Sequence, residues 1–134
     1  MALIFGACKK DDTTDIPNTS ATPVGTFTVQ RTGTFVHQNG SPTTSGTVQI
    51  GLDANGAQWL KFGADFVTET TSGAAIVAMS KSVTYSDNTV TSVGSLSKKG
   101  EQYYKITTPL GNEFTHVIIW CAAAKIPFGN APLK

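Results

Sequence analysis

The chain has 134 residues, a formal net charge of +1 and 14% charged residues, against about 25% in ordinary globular domains. Near-neutral charge without a basic stripe argues against a nucleic-acid partner, and no apolar run approaches the roughly 20 residues that cross a bilayer as a helix. Thr, Ser, Gly, Asn and Gln replace the missing charges over many Val and Ile. This composition is typical of extracytoplasmic β-structure, and the length predicts one domain with its own core.

The N-terminus predicts export. Leu3–Cys8 is an apolar run that ends in two small residues and a cysteine, and it resembles the lipobox of bacterial lipoproteins. Residues 1–7 are interpreted as a truncated signal remnant, and residues 8–23 as a lipid-anchored Cys8 followed by a flexible tether. Lys9–Asp12 resembles the charged patch of Bacteroidetes-type outer-membrane lipoproteins. The resemblance implies anchorage to the outer membrane, with the domain in the periplasm or at the cell surface. An ordinary apolar N-terminus with a chance cysteine is the alternative.

Residues 24–134 predict one β domain, because β-branched or aromatic residues alternate with polar ones between turn dipeptides. The Asn55–Gly56 pair is typical of a tight hairpin turn. The predicted strands are Gly25–Gln30, Thr34–His37, Thr47–Leu52, Gln58–Phe62, Asp65–Glu69, Ala75–Met79, Val90–Leu96, Gln102–Thr107 and 117–122. We expect the fifth and sixth of these to pair with each other.

Eight or nine strands without a helical period predict an all-β fold, namely an antiparallel β-sandwich or a flattened barrel. The unbroken apolar run 117–122 is typical of a central strand that is covered on both faces. Pro127 and Gly129 are expected to stop regular pairing after it. Phe128 and Leu133 are then expected to turn inward.

Few residues could carry chemistry, and no metal site is predicted. Strand alternation places Cys121 with Val117 and Ile119, and puts His116 on the opposite face with Trp120, which disfavours a His–Cys metal pair. No copper, haem or zinc motif is present, and no Gly-x-Ser-x-Gly element accompanies the serines. The carboxylates lie next to turn residues, where solvated roles are expected.

Cys121 has two interpretations. Cysteine is often a buried, small apolar group, and Trp120 beside it is also typical of a core. A reactive thiol would need a nearby cation, and a bend at Pro127 would bring Lys125 back towards the sulfur.

The C-terminal residues resemble a known family. His116–Cys121 followed by Ile126–Leu133 is similar to the closing signature of the electron-transfer DM13 domain, a hydrophobic strand ending in Trp-Cys and then Phe-Gly-x-Ala-x-Leu. Five looser similarities extend the resemblance to about residues 25–134: they are Gly33–Phe35, Ser45–Ile50, Trp59–Phe62, Asp65–Phe66 and Tyr103–Ile106.

The resemblance implies a β-sandwich and a part in electron transfer or in the oxidative modification of a surface partner. It implies Cys121 as the redox group, with Trp120, Phe128 and Gly129 in support. No cofactor, substrate or enzymatic reaction is named by it. The alternative is a non-catalytic module that binds a glycan or a protein through exposed rings, for which the candidates are Trp59 and Tyr104.

Overall fold

The computed structural model describes residues 22–37, 44–68, 75–96 and 99–134. These residues form strands and connections and contain no helix, and hence no helix long and apolar enough to cross a membrane. The strands are β1 (Thr28–Thr34), β2 (Val36–His37), β3 (Thr47–Leu52), β4 (Gln58–Phe62), β5 (Ala75–Ser80), β6 (Val90–Ser95), β7 (Gln102–Ile106), β8 (His116–Cys121) and β9 (Ile126–Pro132).

The nine strands form two antiparallel sheets. The first has four strands in the order β1-β3-β4-β7, and the second has five in the order β2-β9-β8-β5-β6. The sheets stay separate and do not close into a barrel, so the sandwich alternative of the sequence-based prediction is confirmed. β1 leads into β2 through Phe35, and the chain thereby passes from the first sheet to the second.

The core lies between the inner faces of the two sheets. Three rings from different parts of the chain meet at its centre: Phe62 lies 4.7 Å from Phe66 and 5.6 Å from Phe35, measured between ring centroids. β8 contributes Val117 and Ile119, which are fully buried. Aromatic pairs at these distances and angles stabilise a core beyond the burial of their area.

β8 is a central strand, as predicted. It pairs with β5 on one side and with β9 on the other, and Val117, Ile118 and Ile119 are all 0% exposed. Both of its faces are therefore covered, which explains an apolar run without alternation.

Two predicted elements differ from the structure. Residues 65–68 are not a strand, since Val67 makes only an isolated bridge to Ser45, and β5 pairs with β6 and β8 instead. Pro127 and Gly129 do not end pairing either. They lie within β9, where an extra residue at Phe128 makes a bulge opposite β8, and such a bulge lets a strand accommodate proline.

The sandwich has two distinct ends. Asp53 follows Leu52, which pairs with Thr28 at the beginning of β1. From there the chain runs along β1 and β2 to His37, which pairs with Gly129, and β9 extends still farther in this direction to the partner of Cys121. The Asp53 end and the Cys121 end thus lie at opposite extremes of the sandwich.

Candidate functional site

Cys121 is the last residue of β8. It is paired with Ala75 on β5 and with Ile126 on β9, and it is 2% exposed. Its strand neighbours on the same face are the core residues Val117 and Ile119, as the alternation predicted. The sulfur is therefore held by a rigid, paired backbone at one end of the sheet.

The sulfur of Cys121 is oxidised in this structure. Cys121 is disulfide-bonded, and no described residue is a free cysteine. The sequence contains one other cysteine, Cys8, which lies outside the described residues together with the predicted signal remnant and most of the tether. A disulfide exchanges two electrons through thiolate attack, so this is the chemistry that the site can offer.

The turn after Cys121 is exposed and made of small residues. Ala122, Ala123, Ala124 and Lys125 are all exposed, and the backbone N–H of Lys125 donates a hydrogen bond to the carbonyl of Cys121 at 2.7 Å. Lys125 closes the hairpin in a left-handed conformation, with φ 59°. The bend thus comes at Lys125 itself, ahead of Pro127, and the contact with Cys121 is made by backbone atoms.

Trp120 lies on the opposite face of β8. Its ring is stacked on Tyr85 of the β5–β6 connection, with centroids 3.9 Å apart and planes within 2° of parallel. Both residues are half-buried. Burial, and then the charge of Asp87, raise the pKa of the Tyr85 phenol, which keeps this ring neutral. Trp120 is therefore outside the core between the sheets, contrary to the expectation for it.

The two remaining members of the predicted site lie across the hairpin from β8. Phe128 is half-buried against the core, and Gly129 pairs with Ile119. A side chain at Gly129 would have no room, because its Cβ would lie 2.5 Å from Cγ2 of Thr44 and 2.7 Å from the carbonyl of Val36. These residues shape the β9 side of the hairpin and position the strand beside Cys121.

The rings proposed for a binding module both make contacts within the domain. Trp59 is 4% exposed, and its indole N–H donates to Oδ2 of Asp53 at 2.9 Å. Tyr104 packs edge-on against Phe62, with centroids 5.5 Å apart, and its hydroxyl donates to Oε1 of Gln102 at 2.6 Å. Trp59 therefore offers no open face for stacking on a glycan, and Tyr104 is half-buried and held by these contacts.

Asp53 is the polar residue whose role the sequence-based prediction missed, since it was expected to be solvated. It is 7% exposed, and its carboxylate accepts hydrogen bonds from the backbone N–H groups of Asn55, Ala57 and Val24. These bonds, first that of Val24, lower the pKa of its carboxyl against the opposing effect of burial. The Asp53 turn thereby fixes the entry of the N-terminal segment into the domain.

The histidines and carboxylates do not assemble a metal site within the described ranges. Nδ1 of His116 lies 2.8 Å from Oγ1 of Thr115, and burial lowers the pKa of its imidazole. His37 is exposed on the edge strand β2. His116 and Cys121 lie at opposite ends of β8.

The comparisons with known proteins agree with the C-terminal signature. The model of a family described as electron transfer DM13 matches residues 34–133, which is more than half of the chain. No curated protein and no solved structure matches. The matched range contains Cys121 and its hairpin, and excludes Cys8.

Proposed function

Because the chain belongs to the electron-transfer DM13 family, we propose that it takes part in electron transfer at a bacterial cell envelope, with the sulfur of Cys121 as its redox group. The observation that carries this proposal is the oxidised sulfur of Cys121, fixed at the end of a central strand beside an exposed turn of small residues. The exposed turn that follows Cys121 carries three alanine side chains and Lys125.

The proposed step is thiol–disulfide exchange. A dithiol partner attacks the disulfide at Cys121, forms a mixed disulfide and is itself oxidised to a disulfide, while both sulfurs of the original bond leave as thiols. Two electrons and two protons pass from the partner to the Cys121 couple. In the reverse direction, the reduced Cys121 couple passes two electrons to a disulfide of the partner, and the disulfide at Cys121 forms again.

We further propose that Cys8 is the lipid attachment site of an outer-membrane lipoprotein, on the support of the Leu3–Cys8 run and the charged patch after it. A thioether to the lipid uses the sulfur of Cys8. Lipidation of Cys8 and a disulfide between Cys8 and Cys121 therefore exclude each other in one molecule. In the lipidated protein, Cys121 is a single thiol, and the step is attack of its thiolate on a disulfide of the surface partner, which forms a mixed disulfide and releases one partner thiol.

Intact-mass spectrometry of protein extracted from its own membranes tests the anchor. We expect a diacylglyceryl or triacyl mass on the peptide that begins at Cys8. An unmodified Cys8, or a Cys8–Cys121 linkage in the membrane-derived protein, would remove the lipoprotein part of the proposal and leave a soluble disulfide carrier.

Redox titration tests the chemistry at Cys121. Folded protein is equilibrated in dithiothreitol buffers of defined potential, quenched with iodoacetamide and analysed by mass spectrometry. We expect one reversible couple at Cys121, and we expect a stoichiometric dithiol partner to reduce it. Cys121→Ser should show no such couple. Labelling of Cys121 only after unfolding in urea would show that the sulfur is structural. The binding-module alternative gains no support from Trp59, which is buried, or from Tyr104, which is half-buried and packed against Phe62.

A further inference from the structure

The outer face of the five-stranded sheet carries a group of apolar residues that does not belong to the core between the sheets. Ala78 and Ile118 are paired across β5 and β8, and both are 0% exposed, yet neither is part of the cluster between the sheets. On the same face, two residues along β8, lies Trp120. Outward residues of a sandwich are normally polar, so three apolar neighbours here need a reason.

Asn130 adds an unusual polar group to this face. It pairs with Ile118 across β8 and β9 and is 4% exposed. Among the described residues, its side-chain amide forms no hydrogen bond, whereas the six other buried polar residues are each hydrogen-bonded through their side chains. A buried amide without a partner is costly, and such groups in proteins call for an explanation.

Tyr85 is an aromatic residue that packs against this face. Its ring lies flat on Trp120, and it comes from the connection between β5 and β6, which crosses back over the sheet. The backbone of this connection is closed at its base by a hydrogen bond from the N–H of Lys81 to the carbonyl of Thr89, at 2.8 Å, and most of its side chains are exposed. A surface connection of this kind opens locally at a lower free-energy cost than a core strand.

We propose that Trp120, Ile118, Ala78 and Asn130 form a binding site for a planar, uncharged aromatic molecule with a carbonyl-bearing edge, the chemical class of flavin and quinone rings. Tyr85 occupies the stacking position in the free protein. The ligand ring replaces Tyr85 on Trp120, and its polar edge receives a hydrogen bond from the Asn130 amide, which can both donate and accept.

The remaining features of the face fit this ligand class. The apolar pair of Ala78 and Ile118 offers no charge to a ring lying over it, and Tyr85 itself is held neutral. Asn130 pairs with Ile118, two residues before Trp120, so Asn130 and Trp120 are diagonal neighbours on one face of the sheet. Such neighbours are about 7–8 Å apart, which is the span of a two- or three-ring system. The site uses no sulfur atom, so it goes beyond the proposed exchange at Cys121 and does not depend on it.

Riboflavin is the probe for this site, because stacking on an indole quenches its fluorescence. Titration of Tyr85→Ala should give binding at least tenfold tighter than that of the wild type, since the competing ring is removed. Tyr85→Phe is the matched control: it keeps the stack and should bind as weakly as the wild type. Adding Trp120→Ala or Asn130→Leu to Tyr85→Ala should reduce the affinity at least fivefold.

A second measurement covers the case in which Tyr85→Ala does not fold. Hydrogen–deuterium exchange of the wild type at saturating riboflavin should show faster exchange in residues 81–89, because the ligand displaces their ring. Equal affinities of Tyr85→Ala and Tyr85→Phe, or unchanged exchange in this segment, would overturn the proposal. Cys121→Ser should bind riboflavin like its parent, so a failure of the exchange chemistry and a failure of this site are distinguishable.

Discussion

Apolar substitution of two buried amides, Gln58 and Asn130, should change the free energy of unfolding in opposite directions. Gln58 on β4 is 5% exposed, and its side chain accepts from the N–H of Leu110 at 2.8 Å and donates to the carbonyl of Leu110 at 3.2 Å. Asn130 on β9 is buried to the same degree, but its side chain forms no hydrogen bond within the described part of the chain.

The structure gives the expected magnitudes for nearly isosteric apolar replacements. Gln58→Met leaves two partly buried backbone groups of Leu110 unpaired, and it should lower the free energy of unfolding by about 2 kcal/mol. Asn130→Leu removes an amide that is desolvated without compensation, and it should raise the free energy of unfolding by about 1–2 kcal/mol. The melting temperature should move by about 4 °C for each kcal/mol in a domain of this size.

Urea unfolding followed by circular dichroism measures both variants under one reducing and one oxidising condition, which separates the effect from that of the disulfide. Equal m-values are required for the comparison, because a changed slope means a changed unfolded or native state. A loss of stability in Asn130→Leu as large as that in Gln58→Met would refute the reasoning. It would show that the Asn130 amide is satisfied in solution, and it would remove the main support for the aromatic-ligand site.

Five further substitutions at four positions test local features of the fold. Hydrogen bonds, first that from Val24, lower the pKa of Asp53, so its stabilisation is present above about pH 4 and is lost as the pH falls through the folded pKa. Urea midpoints at about pH 6 and about pH 2.5 should therefore differ more in the wild type than in Asp53→Asn, and equal differences would contradict this origin. Lys125 has φ 59°, which glycine adopts without strain and valine does not. Lys125→Gly should therefore raise the free energy of unfolding by up to about 1 kcal/mol, and Lys125→Val should lower it by about 1–2 kcal/mol. Guanidinium unfolding in which the valine variant is more stable than the glycine variant would exclude this explanation. Gly46→Ala should cost about 3 kcal/mol, because φ is 109° and the new Cβ would lie 2.5 Å from a backbone atom. Gly56→Ala, at φ 83° with open space, should cost only about 1 kcal/mol in thermal unfolding, and equal losses would mean that the close approach is unimportant.

Strands whose neighbours are close in sequence were predictable. β3 and β4 form a hairpin around Asn55–Gly56, the dipeptide that predicted a tight turn there. β8 could be identified as a covered strand because its apolar run needs two covered faces. The prediction failed for residues 65–68, where local β-propensity is real but β5 finds better partners in β6 and β8.

The candidate site was predictable only in part. The neighbours of Cys121 in the chain resemble a family signature, and the alternation of β8 assigned its face correctly. The burial of Trp59 by the Asp53 turn was not predictable, since Val24 joins this turn from 29 residues away. The stack of Tyr85 on Trp120 and the position of Asn130 beside Ile118 arise from the order of strands β9-β8-β5, and no short-range pattern contains that order.

The sequence by itself determined that this protein is an all-β domain, that β3 and β4 form a hairpin and that both faces of β8 are covered, because side-chain direction alternates along a strand and turn residues fix local geometry. Only the tertiary structure decided which distant strands are neighbours, and hence which outward residues are covered and which buried polar groups have partners. The physical reason is that burial and hydrogen bonding depend on atoms that are close in space, and in a sandwich most of those atoms belong to residues far apart in the chain.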